Sequence, residues 1–173
     1  MKTRDFSGQF AACEIMVVIH NIRSIVNVGA ILRTMECLGI KRAFATGWTP
    51  SIDNGLPHVR EKIAQELHKT ALGAEKIIDF QYTDNIAELL KRLKNDGFSI
   101  VGLEQDKRAI SLLNYNPPTK IALLLGEEVS GLSLELRDMC DDLIEIPMRG
   151  QKESFNVSVA TGIALYELSI RRD

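Results

Sequence analysis

The sequence predicts an α/β fold, a mostly parallel sheet of six strands with helices on both faces. Short apolar runs alternate with segments whose apolar residues recur every three or four positions, as expected when strands and helices alternate along a chain. The chain has 173 residues and is 45% hydrophobic, which suffices for one domain with a sizeable core. We therefore predict a single domain over residues 1–173, in which residues 1–13 form a short N-terminal extension.

The first half of the chain contains three predicted strands and two predicted helices. Gly39 follows the first helix and Gly73 the second, and glycine commonly ends helices because it adopts a left-handed backbone. Residues 47–58 are rich in turn residues and belong on the surface, where such loops often carry function. In chain order, the elements are a strand over 14–20, a helix from near Asn27 to Leu38, a strand over 41–46, a helix over 59–72 and a strand over 76–82.

The second half of the chain contains the other three predicted strands. Asp84 is the expected cap of a helix that Gly97 ends, and Ser154 and Asn156 are expected to open the last helix. Residues 104–119 form mostly loop. In chain order, the elements are a helix over 86–93, strands over 98–103 and 120–125, a short helix over 134–140, a strand over 143–146 and the last helix.

The last helix has two apolar faces, although a helix that covers one side of a sheet needs only one. We expect the second face to pack against a copy of itself across a two-fold axis, in a homodimer. The alternative is a helix that is buried on both sides within its own monomer. One face carries Val157, Ala160, Ala164, Leu165 and Leu168, and the other carries Val159, Ile163, Tyr166 and Ile170.

Charge, apolar runs and cysteines narrow the class of protein. The net charge of −2 gives no global sign of a nucleic-acid partner, so any such binding must use local basic patches. No apolar run is long enough to span a bilayer, and residues 1–9 contain no signal peptide. Cys13, Cys37 and Cys140 lie on apparent core segments without metal-ligand spacing, and the three histidines form no ligand cluster. We predict a cytoplasmic protein with reduced thiols, no bound metal and no membrane partner.

Three strand-to-helix junctions carry polar residues that a core does not need. The first contains Asn27 and Arg33, which on a purely structural interpretation are a helix cap and a solvated side chain. The second, over residues 126–133, superficially matches a phosphate-binding loop, but Leu132 stands where lysine must be and two glutamates are present. Carboxylates suit a cationic or hydroxyl-bearing ligand better than they suit a phosphate. In the third, Pro147 breaks a strand and a polar loop leads into the last helix.

Together, the three junctions resemble the signature motifs of the SpoU (TrmH) family, RNA ribose 2′-O-methyltransferases of the SPOUT superfamily. The motifs read N-x-G-A-I-x-R followed by M-E-x-x-G, then L-L-L-G-E-E-x-x-G-L, then I-E-I-P-M-x-G-x-x-x-S-F-N-V-S-V-A-x-G-I. Their order and spacing match, and the resemblance extends from Glu14 to Arg171. Phe155 stands where the family usually has leucine, which is a conservative apolar change.

The resemblance implies a C-terminal trefoil knot and an obligate homodimer, which agrees with the two apolar faces of the last helix. It also implies S-adenosylmethionine as the cofactor and S-adenosylhomocysteine as its product, without a metal. The substrate would be tRNA or rRNA and not DNA. The cofactor would contact backbone or apolar groups of Leu103, Gly126, Ile146, Met148 and Phe155.

The catalytic residues implied by the resemblance would promote attack of a ribose 2′-hydroxyl on the sulfonium methyl group. A guanidinium stays charged in proteins, so we assign Arg33 to binding the adjacent phosphate and lowering the pKa of the hydroxyl, not to acting as a base. Asn27 and Glu128 would orient Arg33, while Ser154 and Asn156 would hold the third motif and the substrate. The set is Asn27, Arg33, Glu128, Ser154 and Asn156.

RNA would bind over basic residues on or near the strand-end loops. Trp48 could stack on a base, although a half-buried structural tryptophan is an equal alternative. Recognition by a bare catalytic core favours tRNA over a structured rRNA fragment. The basic residues are Arg23, His58, Arg60, Lys62, Arg149 and Lys152.

Two other classes of function are alternatives. One is a non-catalytic RNA-binding or assembly factor, which could have lost the polar set. The other is a small-molecule methyltransferase, which would need a lid domain to close over its substrate.

Overall fold

The computed structural model describes residues 13–53 and 56–170. Strands and helices alternate along the chain, as predicted. The helices are α1 (Ile25–Cys37), α2 (Pro57–Ala71), α3 (Ile86–Asn95), α4 (Leu134–Met139) and α5 (Val157–Ser169). The strands are β1 (Glu14–His20), β2 (Arg42–Thr46), β3 (Asp79–Thr83), β4 (Ser99–Leu103), β5 (Ile110–Ser111), β6 (Lys120–Leu125) and β7 (Asp142–Glu145).

The strands form one sheet in the order β3-β2-β1-β6-β4-β7-β5, and every pair in it is parallel. The parallel α/β prediction is confirmed, but the number of strands is seven and not six. The additional strand, β5, has only two residues and pairs with β7 at the sheet edge. Two residues are too short to show periodicity, which explains why the sequence did not reveal it. The sheet order does not test the trefoil knot, which stays a prediction.

Alternating side chains of the central strands pack on opposite faces of the sheet. In β1, Val17 belongs to the hydrophobic cluster under α1, α2 and α5, whereas Val18 belongs to the cluster under α3 and α4. Leu123 and Leu124 divide in the same way in β6, and all four side chains are fully buried. Because both faces of the strands are buried, these segments are continuously apolar, as is typical of a parallel sheet between two helical layers.

Local capping differs from the prediction at two helix starts. Ser24 is the N-cap of α1, where its hydroxyl accepts a hydrogen bond from the backbone N–H of Asn27 at 3.3 Å. The prediction of Asn27 as the cap is therefore wrong, and its side chain is left to contact another loop. Asn85, and not Asp84, caps α3 by accepting from the backbone N–H of Glu88 at 3.1 Å. Each cap is a good hydrogen-bond acceptor, and propensity alone does not distinguish neighbouring candidates.

Two further boundaries and one burial prediction are corrected. α2 begins at Pro57, two residues early, because proline fits the first turn of a helix. β3 begins at Asp79 because a short 3-10 helix occupies Ala74–Lys76. Cys37 is exposed and not in the core, while Cys13 and Cys140 are partly buried, and all three are free thiols.

The two apolar faces of α5 have different environments. Leu165 and Leu168 are buried in the monomer, whereas Val159 is 50% exposed and Tyr166 is 56% exposed. The alternative of a helix buried on both sides within one monomer is therefore wrong. None of the helices in the described part of the chain is long and apolar enough to cross a membrane.

Candidate active site

A cavity of about 360 Å³ opens at the carboxyl ends of β4, β6 and β7. Three segments surround it: the residues after β4, the loop after β6, and the segment from the end of β7 into α5. Ligands of open α/β sheets bind at this edge, because the strand ends leave a crevice there. The lining residues are Leu103, Glu104, Gln105, Leu125, Gly126, Glu127, Glu128, Val129, Ser130, Gly131, Glu145, Ile146, Glu153, Ser154, Phe155, Val157 and Ala160.

Glu128 joins the loop after β6 to the start of α1. Its carboxylate accepts hydrogen bonds from the backbone N–H groups of Ser24 at 3.1 Å and Arg23 at 3.4 Å, and from Asn27 Nδ2 at 3.2 Å. Partial burial raises the pKa of Glu128, but these bonds and one from its own backbone outweigh that effect and hold the pKa below its ordinary value. Glu128 is therefore an ionised brace between the first and second motifs.

Asn27 and Asn156 extend this network to the third motif. Asn156 Nδ2 donates to Asn27 Oδ1 at 3.2 Å, while Asn156 Oδ1 accepts from the backbone N–H of Ser158 at 2.9 Å and so caps α5. The amide of Asn27 donates on one side and accepts on the other, which only an asparagine-type side chain does at this length. The structure thus brings Glu128, Asn27 and Asn156 together, although 101 and 129 residues separate Asn27 from the other two.

The loop after β6 is a tight hairpin that depends on two glycines. Glu127 and Gly131 exchange backbone hydrogen bonds at 3.2 and 2.9 Å, and Gly131 has a φ of +66°. A Cβ atom on Gly126 would lie 2.4 Å from the carbonyl carbon of Gly131, so only glycine fits there. Glu104 secures the hairpin from outside, since its carboxylate accepts from the backbone N–H of Leu132 at 2.6 Å.

The cavity combines an apolar wall with a strongly acidic lining. Such a mixture suits a ligand that has both an apolar body and a positive charge. The carboxylates belong to Glu104, Glu127, Glu128, Glu145 and Glu153, and the apolar wall includes Leu103, Leu125, Ile146, Phe155 and Val157.

Four of the five residues expected to contact the cofactor line this cavity: Leu103, Gly126, Ile146 and Phe155. The fifth, Met148, lies beside the lining, where its sulfur is 3.9 Å from Gln105 Nε2. Gln105 also donates to the backbone carbonyl of Glu153 at 2.8 Å and so connects the segment after β4 to the third motif. The cofactor-binding assignments themselves stay predictions.

Arg33 is not part of the polar network. Asn27 and Glu128 hydrogen-bond each other and not Arg33 in the part of the chain that the structure describes. Arg33 is exposed and lies seven residues after Val26, about two helical turns, so both occupy the outer side of α1. The expectation that Asn27 and Glu128 orient Arg33 within one chain is therefore not met. Ser154, by contrast, lines the cavity, and its contact with the substrate stays a prediction.

The six basic residues are all exposed and fall into two groups. Arg23, Arg149 and Lys152 lie on segments next to the cavity, and the guanidinium of Arg23 is 3.5 Å from the Glu127 carboxylate. His58, Arg60 and Lys62 lie in the first two turns of α2, where Arg60 Nε donates to the backbone carbonyl of Ile52 at 2.6 Å. Trp48 is 73% exposed, so the half-buried alternative is wrong.

Sequence reasoning noted the carboxylate of Glu127 but missed four other acidic and amide residues of the lining, namely Glu104, Gln105, Glu145 and Glu153. A positional signal was available for two of them: Glu104 and Gln105 directly follow β4, at the sheet edge where ligands bind. Within residues 13–53 and 56–170, no group of three or more His, Cys, Asp or Glu side chains is arranged to hold a metal ion.

Comparison with known proteins adds independent information. The chain is 32% identical over 165 residues to the tRNA (guanosine(18)-2′-O)-methyltransferase of Aquifex aeolicus, in an alignment that covers 92% of this chain and 71% of the relative. It is 29% identical to the 23S rRNA (guanosine-2′-O-)-methyltransferase RlmB of Coxiella burnetii, with coverage of 92% and 59%. The chain thus spans a little over half of that second relative.

Solved structures resemble the fold closely. The crystal structure of the Aquifex aeolicus TrmH/SpoU tRNA modifying enzyme matches with a TM-score of 0.74 and 28% identity, over 90% of this chain and 73% of that one. An AdoMet-bound rRNA methyltransferase from Sinorhizobium meliloti shares the fold with a TM-score of 0.78 and 24% identity, over 90% and 55% of the two chains.

The family comparison agrees with the motifs. The SpoU rRNA Methylase family matches residues 14–166, which contain all three polar junctions and every residue of the cavity lining. The chain belongs to the SpoU rRNA Methylase family.

Proposed function

We propose that this protein transfers the methyl group of S-adenosylmethionine to a ribose 2′-hydroxyl of tRNA or rRNA. The observation that carries the proposal is the network in which Glu128, Asn27 and Asn156 tie the three motifs together beside one cavity. The names of the relatives, guanosine 2′-O-methyltransferases of tRNA and of 23S rRNA, support the reaction and leave the RNA class open.

The cavity lining suits S-adenosylmethionine. The cofactor carries a sulfonium and an ammonium group. Glu145 and Glu153 would attract them, since Glu127 and Glu104 already pair with Arg23 and Arg137. Its adenine ring fits beside Leu103, Ile146 and Phe155. When bound, it supplies a methyl group on a cationic sulfur and departs as S-adenosylhomocysteine. Gly126 would let the hairpin backbone approach the cofactor closely, and Met148 would cover it from the loop after β7.

The chain must also position a very weak acid, the 2′-hydroxyl, for in-line attack on that methyl group. Ser154 lines the cavity and would hydrogen-bond to the ribose, while Asn156 would keep the third motif in place through Asn27. Arg33 would bind the phosphate next to the target ribose, and its positive charge would lower the pKa of the hydroxyl. DNA lacks the 2′-hydroxyl and cannot be a substrate.

We further propose a homodimer that packs through the exposed sides of α1 and α5. The apolar side chains that would be covered include Val26, Val159, Ile163 and Tyr166, which are between 38% and 60% exposed in the monomer. The two helices pack against each other, so their exposed sides are adjacent. Arg33 lies on the same side of α1 as Val26 and would act across the interface, on RNA at the partner's cavity. We also propose that the chain forms a C-terminal trefoil knot and that the protein is cytoplasmic.

RNA would bind at the cavity edge through Arg23, Arg149 and Lys152, and at α2 through His58, Arg60 and Lys62. Contacts of lysine and arginine with phosphates carry most of the affinity for nucleic acids and make it dependent on salt. A chain with a net charge of −2 needs such local clusters. The Arg149→Glu, Lys152→Glu double variant should therefore weaken RNA binding. Unchanged affinity for RNA would show that these two residues do not belong to the RNA-binding surface.

The experiment that tests the function has two steps. Calorimetric titration with S-adenosylmethionine should show binding, and incubation with radiolabelled cofactor and total RNA from the host should label 2′-O-methylated nucleosides. Arg33→Ala should abolish transfer and retain cofactor binding. Arg42→Ala is the matched control, because Arg42 begins β2 at the opposite end of the sheet strands. Cofactor binding without transfer would favour a non-catalytic RNA-binding protein, and absence of binding would refute the cofactor assignment.

A further inference from the structure

Trp48 is the only tryptophan in the chain and is 73% exposed, although tryptophan is usually among the more buried residues. It lies two residues after β2, at the same sheet edge as the cavity. No part of the network of Glu128, Asn27 and Asn156 involves it. Its exposure therefore needs a separate explanation.

The backbone around Trp48 is fixed on both sides. Thr46 and Thr49 are buried, and the hydroxyl of Thr49 donates to the backbone carbonyl of Ile19 at 2.9 Å while it accepts from the N–H of Ile22 at 3.2 Å. The backbone N–H of Trp48 donates to Asn21 Oδ1 at 3.0 Å. Hydrogen bonds thus hold the backbone on both sides of Trp48, while its indole is exposed to solvent.

Two unusual backbone conformations build this turn. Asn21 has a φ of +57° and Gly47 a φ of +63°, and a Cβ atom on Gly47 would lie 2.1 Å from Asn21 Oδ1. Because Asn21 Oδ1 accepts from Trp48, its Nδ2 faces His20 Nε2 at 3.0 Å. His20 Nδ1 then carries the proton and donates to the hydroxyl of Thr46 at 2.8 Å. Glycine and asparagine are the residues that adopt this left-handed backbone most readily, so the sequence suits this turn.

Trp48 lies between segments that carry cations. Asn21, which holds its backbone, is two residues before Arg23, whose N–H donates to Glu128 at the cavity. On the other side, Ile52 is four residues after Trp48 and accepts from the guanidinium of Arg60. No carboxylate of the described residues pairs with Arg60. An exposed aromatic ring at the same sheet edge as exposed cationic side chains is the combination with which proteins bind single-stranded nucleic acid.

We propose that Trp48 is a stacking platform for an unpaired RNA base close to the nucleotide that is methylated. The proposal rests on the RNA substrate of the proposed function. Every base has a π-face, so the indole would bind unpaired RNA with little sequence preference and would position the strand over the cavity edge. Recognition of the target nucleotide itself would come from other contacts.

Because Trp48 is the only tryptophan, its emission reports directly on the proposed contact. The probe is a twelve-residue oligouridylate, titrated into the purified protein with excitation at the red edge of the indole band. We expect saturable quenching as a base stacks on the ring. Trp48→Ala should raise the Kd, measured by anisotropy of the labelled oligonucleotide, by about tenfold to a hundredfold. Trp48→Phe keeps an aromatic face and should raise it by much less.

The matched control is Ile77→Ala, which removes another exposed apolar side chain (64% exposed) just before β3, at the amino ends of the strands. It should leave the Kd unchanged. All variants should keep the affinity of the wild-type protein for S-adenosylmethionine, which separates a failure of stacking from a failure of the proposed cofactor site.

Three results would overturn the proposal. The first is an emission spectrum that saturating oligouridylate does not change. The second is wild-type oligonucleotide affinity in Trp48→Ala. The third is an emission shift that follows dilution of the protein and not addition of RNA, because Trp48 would then belong to an interface between copies of the chain. Quenching without methyl transfer would instead refute the catalytic proposal and leave the stacking contact intact.

Discussion

Replacement of Glu128 by glutamine tests whether an ionised brace holds the first and second motifs together. The substitution keeps the size of the side chain and replaces one acceptor oxygen by a donor NH₂ group. The amide oxygen can keep the contacts that Oε1 makes, with the N–H of Ser24 and the side chain of Asn27. The NH₂ group must then face the N–H of Arg23, which now has no acceptor.

The size of the effect follows from these contacts. Two hydrogen bonds lose their charge-assisted character, which is worth about 1 kcal/mol each, since bonds to charged groups contribute roughly 1.5–3 kcal/mol and neutral ones roughly 0.5–1.5 kcal/mol. The third contact is long, at 3.4 Å, and contributes little. Glu128 is only partly buried, so solvent screening reduces the total. We expect Glu128→Gln to lower the free energy of unfolding by about 1–2 kcal/mol at pH 7.

The loss should depend on pH. The folded protein holds the pKa of Glu128 below its ordinary value of 4.5. The carboxylate therefore stabilises the fold fully above pH 4.5, and this contribution is lost as the pH falls through the folded-state pKa. Below that point the wild-type side chain is protonated and resembles glutamine, so the two proteins should converge in stability.

Urea unfolding of the wild type and Glu128→Gln, followed by circular dichroism at pH 7 and at several lower pH values, measures the difference. Glu61→Gln is the matched control: it removes the same charge from an exposed position of α2 and should change the stability by less than about 0.5 kcal/mol. Two results would refute the proposed role of ionised Glu128 in holding the two motifs together. One is a variant as stable as the wild type at pH 7, and the other is a stability difference that persists unchanged at the lowest pH.

The remaining predictions concern glycines at close backbone contacts. Gly126→Ala should weaken S-adenosylmethionine binding at least tenfold by calorimetry, because the added Cβ would meet the Gly131 carbonyl carbon at 2.4 Å and open the hairpin. The control is Gly150→Ala, which has open space around the added Cβ and should bind the cofactor as the wild type does. Gly29→Ala should destabilise the protein by about 1–3 kcal/mol in urea unfolding, because its Cβ would overlap the Thr70 hydroxyl where α1 packs on α2. Unchanged cofactor affinity in the first variant, or unchanged stability in the second, would contradict these expectations.

The sequence alone determined the buried strands and the helix stops, and it indicated part of the polar network. Val17, Val18, Leu123 and Leu124 lie in continuous apolar runs, which predict strands covered on both faces because neither face can tolerate a polar residue. The motifs also identified Glu128 and Asn156 as residues of one site.

Tertiary structure decided which segments meet. β1 pairs with β6, a strand more than 100 residues away, and no local pattern encodes that partner, because periodicity reports burial and not identity of the neighbour. The acidic lining of the cavity depends on the same pairing, since Glu104 and Glu145 become neighbours only because β4 pairs with β7.

Tertiary structure also decided where the motif residues point. Ser24 caps α1, so Asn27 is free to bridge Glu128 and Asn156, whereas Arg33 lies on the exposed side of the same helix. Residue spacing places side chains around a helix axis, but the rotation of that helix against its neighbours depends on packing of the whole core. The motifs therefore indicated candidate residues, and the packed sheet and helices decided which of them share one site.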